Sequence, residues 1–132
     1  MTHWAILSGI NGNLSAYEAV LADLKRVRYQ VEALYILGDL VGPDSHCEAL
    51  VQRVRQPRRG ELEPQVCLGW WEEQCFNLHG IGSDPEATEL LKQVGPDGIE
   101  QLWKSVSRQA VQWLRSRELG YLEFACLLIH GC

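Results

Sequence analysis

Trp4-Ala5-Ile6-Leu7-Ser8-Gly9-Ile10-Asn11-Gly12-Asn13 opens the stretch that decides the fold, which runs on through Leu14-Ser15-Ala16-Tyr17-Glu18-Ala19-Val20-Leu21 to Val31–Leu37 and Gly38-Asp39. Trp4 to Ser8 is a short apolar run stopped by glycine, the pattern of a buried strand. Gly9 to Asn13 is a tight polar turn. Leu14, Tyr17, Val20, Leu21 and Leu24 then recur at spacings of three and four, which is one face of a helix. Asn13 can cap its start, and Lys25, Arg26 and Arg28 suit its end. Val31 to Leu37 is nearly continuous in apolar residues, as expected of a strand covered on both faces. Strand, helix and strand in so short a span predict a βαβ unit with parallel strands.

Beyond this unit the periodicity predicts a helix from Cys47 to Val54, a loop at Gln56-Pro57-Arg58-Arg59-Gly60, and a short strand at Val66-Cys67-Leu68. The region from Pro85 to Arg117 reads as helical, broken near Gly95-Pro96-Asp97-Gly98, with Leu102, Val106, Ala110, Trp113 and Leu114 as its apolar stripe. Tyr121 to Ile129 reads as a strand. The chain of 132 residues, 46% hydrophobic and 22% charged, is expected to form one domain over residues 1–132 with a sizeable core. Its net charge of -5 argues against broad nucleic-acid binding, which needs clustered positive charge. No apolar run nears the roughly 18 residues of a membrane span, and Met1-Thr2-His3-Trp4 is unlike a signal peptide. Five cysteines without a CxxC pair then read as reduced thiols, and the expected location is cytoplasmic.

Three strands end in glycine-containing turns: Gly9 to Asn13, Gly38-Asp39-Leu40-Val41-Gly42, and Gly69-Trp70-Trp71-Glu72; a fourth ends in His130-Gly131. In parallel α/β sheets, ligands bind at the carboxyl ends of strands, so these turns are expected to converge. The plainer reading of the same residues is that glycine and asparagine simply terminate strands. Taken together, the turns resemble those of the calcineurin-like metallophosphoesterases. That family places Asp-x-His-Gly-Asn after its first strand, Gly-Asp after its second, Gly-Asn-His and an acid after its third, and a later strand ending in His-Gly. Residues 4 to 43 carry the most specific part of the likeness.

The resemblance implies an α/β fold, a partial metallophosphoesterase sandwich with a mixed β-sheet of four or five strands flanked by helices, lacking the family's C-terminal part. It also implies two divalent metals, manganese, iron or zinc, that generate a hydroxide nucleophile. Here the match is incomplete. Gly9 stands at a metal-binding aspartate, Trp70 at a metal-binding asparagine, and Trp71 at the histidine that protonates the leaving group. Asp39, Asn11 and His130 remain as a vestigial ligand set, and Glu72 keeps the acid that would orient the missing histidine. One carboxylate cannot neutralise two dications.

The expectation is therefore a degenerate, non-catalytic protein with a binding or assembly role and no catalytic residues. The competing expectation is a metal-dependent phosphoesterase with residual activity, or a truncated form of one. Gly12 and Asn13, at a helix N-terminus, are expected to bind a phosphate-like anion weakly. An apolar sheet face around Ala33–Leu37 and Leu127–Ile129 is expected to be covered by the helices from Pro85 to Arg117, by a second copy of the chain or by another protein, the last two being the expected partners; nucleic acid and membrane are not. Trp70 and Trp71, read as a strand end, are expected to point to opposite sides. Arg53, Arg55, Arg58 and Arg59 form a small basic patch, and His46 and His79 read as surface loop residues.

Overall fold

The computed structural model describes residues 2–44, 46–84 and 86–117, and two further strands at 120–123 and 126–129. Strand β1 (Trp4–Leu7), helix α1 (Leu14–Leu24) and strand β2 (Ala33–Leu37) form the predicted βαβ unit. Helix α2 (Cys47–Arg55) and strand β3 (Gln65–Cys67) extend it. The sheet is parallel in the order β1-β2-β3, with Trp4 opposite Ala33 and Tyr35 opposite Gln65. Helices α3 (Trp70–Leu78), α4 (Thr88–Ser105) and α5 (Arg108–Arg115) follow.

Two caps explain where helices begin. Asn13 Oδ1 accepts the Ala16 N–H at 3.0 Å to start α1, and Ser107 Oγ accepts the Ala110 N–H at 3.1 Å to start α5. Helix α4 is bent at Gly95, whose φ of 70° no helix accommodates and which precedes Pro96. The break expected near Gly95 is present, and the region divides a second time at Val106-Ser107.

One core joins sheet and helices. Leu34, Ile36 and Val66 from the sheet pack with Tyr17, Leu21, Leu50, Val51, Val54, Phe76, Leu90, Leu102 and Leu114. Four of the five residues of the predicted stripe are buried, and Trp113 packs against them part-exposed. On β2 the middle residues Leu34, Tyr35 and Ile36 are all buried, so the face expected to stand bare is covered there. Among the large apolar residues of the sheet strands β1 to β3, exposure falls on Ile6 of β1.

Two expectations about strands change. The stretch from Tyr121 to Ile129 is two strands, β4 (Gly120–Glu123) and β5 (Cys126–Ile129), paired antiparallel. They form a sheet of their own instead of a fourth and fifth strand beside β1 to β3. The unbroken apolar run from Phe124 to Ile129 concealed the division into two strands. No helix among the described residues is long and apolar enough to cross a membrane.

Candidate functional site

The turns after β1, β2 and β3 meet at the carboxyl ends of the strands and grip one another through their backbones. Asn11 N–H donates to the Asp39 carbonyl at 2.9 Å, and Gly12 N–H donates to the Leu40 carbonyl at 2.8 Å. Glycine permits this closeness. A Cβ at Gly42 would lie 2.7 Å from Asn11 Cβ, and one at Gly69 would lie 2.6 Å from the Asp39 nitrogen. Asn11 (φ 54°) and Asp39 (φ 51°) both occupy the left-handed region, where asparagine and aspartate are the best tolerated residues after glycine.

Glu72 is the centre of this junction, a role the sequence reading missed. Its side chain is fully buried, and it accepts backbone N–H groups from Asp39 (2.7 Å), Gly69 (2.8 Å) and Val41 (3.1 Å). The bond to Gly69 caps α3 from its third residue, and the other two tie that helix to the turn after β2. Burial pushes the Glu72 carboxyl up to about 7, against the pull of its three amide donors. Instead of orienting a histidine, this acid staples two turns together.

Asp39 is drawn into the same junction. Its Oδ1 accepts the Trp71 N–H at 3.0 Å, which sets a carboxylate at the start of α3, where the helix dipole favours negative charge. Trp70 and Trp71 form the first turn of this helix, so the strand-end geometry expected for them is corrected. Gly69, extended at φ -127°, ends the strand, and the Glu72 cap begins the helix at once. The two indoles meet edge-to-face at 4.8 Å and both pack against the core.

Several expected site residues are placed differently from their reading. Gly12 is buried and its N–H is used by Leu40; the Asn13 N–H donates to the Ile10 carbonyl at 3.0 Å. The amides meant for an anion are thus spent inside the turn. Structure brings Asn11 and Asp39 together through their backbones, while His130 lies outside the described residues. The described donor set does not fit a two-metal centre: no three His, Cys, Asp or Glu side chains gather among the described residues, and indoles stand where ligands are needed. Cys47, Cys67 and Cys75 are buried, and burial pushes the Cys47 and Cys75 thiols up, which keeps them protonated.

Within the arginine patch, Arg53 is not open to an anion. Arg53 is buried against Glu61, with Nη1–Oε1 at 2.7 Å and Nη2–Oε2 at 2.6 Å, and its Nε meets Glu18 at 2.5 Å. This fork holds the Glu61 carboxyl down to about 2 and locks the loop after α2 onto α1 and α2. Arg55 lies over the Trp113 ring at 5.6 Å.

No family model matches the chain. No curated protein matches it. Solved structures do. A hypothetical protein, PH1004 from Pyrococcus horikoshii OT3, superposes with a TM-score of 0.72 and 20% identity over 93% of this chain and 50% of its own. A metallophosphoesterase from Sphaerobacter thermophilus superposes with a TM-score of 0.58 and 20% identity over 92% of this chain and 44% of its own. The chain therefore has a metallophosphoesterase-like α/β fold and spans about half the length of these structures.

Proposed function

We propose that this chain is a degenerate metallophosphoesterase-like domain that binds or assembles without hydrolysing phosphate esters. The observation that carries the reading is the pair of indoles at the start of α3. They pack edge-to-face where the resemblance requires a metal ligand and a general acid, and indole offers neither lone pair nor proton of suitable acidity. Asp39 and Glu72, the acids that survive, direct carboxylate oxygens at backbone N–H groups. With Gly9 supplying no side chain, charge for two adjacent dications is lacking.

Elemental analysis of the purified chain, joined to a phosphodiester assay with added manganese, tests this. The expected outcome is fewer than two bound metals per chain and a rate unchanged by Asp39→Asn. Two metals per chain, or manganese-dependent hydrolysis abolished by Asp39→Asn, overturns the reading.

A further inference from the structure

The far end of α3 carries a second feature that no part of the strand-end site uses. Nine helical residues, about 13 Å of rise, separate it from the turns at Trp70. There a cleft of about 520 Å³ opens between the end of α3, the end of α4 and the start of α5. Its walls include His79, Trp103, Lys104, Ser107 and Arg108. Lys104 and Arg108 are the cationic side chains of this lining.

Three observations give the cleft a chemistry. Trp103 is 51% exposed, a large apolar ring left open to solvent, and it faces the His79 ring at 6.2 Å with a tilt of 32°. Arg108 has no hydrogen-bond or ion-pair partner among the described residues, so its guanidinium is available to a ligand. His79, expected in a surface loop, ends α3 instead, and its Nε2 is buried with no partner among the described residues. Burial and the nearby Arg108 charge lower the His79 pKa. The other charges nearby are paired: Lys104 with Glu100 at 2.7 Å, and Glu48 with the Ser107 N–H at 2.8 Å and hydroxyl at 2.9 Å.

We propose that this cleft binds a ligand combining a planar aromatic ring with a phosphate, of the class of a nucleoside monophosphate. The ring stacks on Trp103, as bases do on exposed aromatic side chains. Arg108 takes the phosphate through its fork of donors, and Lys104 exchanges Glu100 for the same group. Aromatic stacking and a guanidinium–phosphate contact are separate contributions, so each half of the ligand alone is held more weakly than the whole.

The test uses the full chain and three probes: adenosine monophosphate, adenosine and inorganic phosphate. Binding is followed by NMR at the Trp103 indole N–H and the His79 ring protons, and by calorimetry. Adenosine monophosphate is expected to shift both signals with a Kd of about 0.1–1 mM, and to bind about tenfold or more tighter than either half. Arg108→Ala should weaken adenosine monophosphate about tenfold while leaving adenosine unchanged, and Trp103→Ala should do the converse for adenosine. Both side chains are exposed, so circular dichroism should show an unchanged fold. No shift of either signal at about 5 mM nucleotide overturns the proposal. So does equal binding of phosphate or adenosine alone, or an affinity that neither substitution changes. Because the strand-end turns take no part, metal content and hydrolysis do not bear on these outcomes.

Discussion

Glu72→Gln is the substitution that most directly tests how the strand-end junction is held. Gln keeps the shape of the side chain and one acceptor oxygen, which can still face the Asp39 and Gly69 N–H groups now bound at 2.7 and 2.8 Å. What changes is the charge. The folded carboxyl sits at about 7 and an unfolded one near 4.5, so the native state holds its proton more tightly. A carboxyl raised on folding contributes most below the unfolded value, and that contribution is lost as pH rises toward the folded value. For a shift of about 2.5 units the whole loss is about 3 kcal/mol, of which about 2.5 falls between pH 5 and pH 8.

Gln mimics the protonated acid at every pH and lacks this loss. At pH 5 the variant should therefore be slightly less stable than the parent, by about 1 kcal/mol, because its NH2 meets the Val41 N–H where an oxygen accepted it at 3.1 Å. By pH 8 the order should reverse, with the variant ahead by about 1–2 kcal/mol, as when a buried charge is replaced by a neutral group. Urea unfolding followed by far-ultraviolet circular dichroism at half-unit pH steps measures both curves. If the gap between parent and variant does not move with pH, or grows against Gln as pH rises, the reasoning is refuted: the three amides then hold the charge more strongly than burial opposes it.

Other substitutions probe the rest of the frame. Glu72→Ala should cost about 3 kcal/mol or more at any pH, since three N–H groups, one of them buried and two part-buried, lose their acceptor, and urea midpoints will show it. Arg53→Met should cost about 3 kcal/mol by the same measurement, because the Glu61 side chain, 5% exposed, loses its guanidinium fork and keeps the Arg58 N–H at 2.7 Å and Lys25 at 4.0 Å. On acidification, Glu61 at about 2 when folded should withdraw about 3 kcal/mol as pH falls from 4.5 toward 2, a loss that Glu61→Gln should abolish in an acid titration of unfolding. Gly12→Ala should cost about 3 kcal/mol or more in thermal or urea melts, because its Cβ would lie 2.6 Å from Cys47 Sγ at a φ of 81°; Gly60→Ala, at φ 85° but in open space, should cost only about 1–2.

The βαβ unit was legible because its signals are local. Glycine stops β1, Asn13 caps α1, and the apolar spacing of Leu14 to Leu24 repeats on a helix and on nothing else. The start of α3 was written in the sequence and misread: Gly69 followed three residues later by Glu72 is a helix-start spacing, but two tryptophans after a strand suggest more strand. Ser107 with its cap to Ala110 was likewise available as the start of α5. What no pattern could supply are the long-range pairings. Arg53 finds Glu18 across 35 residues of chain, and Glu72 finds Asp39 across 33. A cluster of four arginines reads as a basic patch until the fold shows that one of them is enclosed by carboxylates.

Those pairings bear on what an acidic signature can mean. Gly38-Asp39 and the acid after Gly69 are two of the features that make the chain resemble a metal-dependent hydrolase, yet here each carboxylate has a task that needs no metal. Asp39 caps α3 through the Trp71 N–H and occupies a left-handed position that few side chains tolerate. Glu72 holds three backbone donors that would otherwise be buried unpaired. Their presence therefore says little about hydrolysis, since the same fold would hold them in a protein with metals or without. Discriminating power lies at positions the frame leaves chemically free. Position 9 is one: a Cβ there would meet nothing within 4 Å, so packing does not exclude a larger side chain, although the φ of 63° favours glycine. Positions 70 and 71 are the others. There the indoles turn the first turn of α3 inward, so that a stretch that would offer lone pairs to a ligand instead packs against the hydrophobic core.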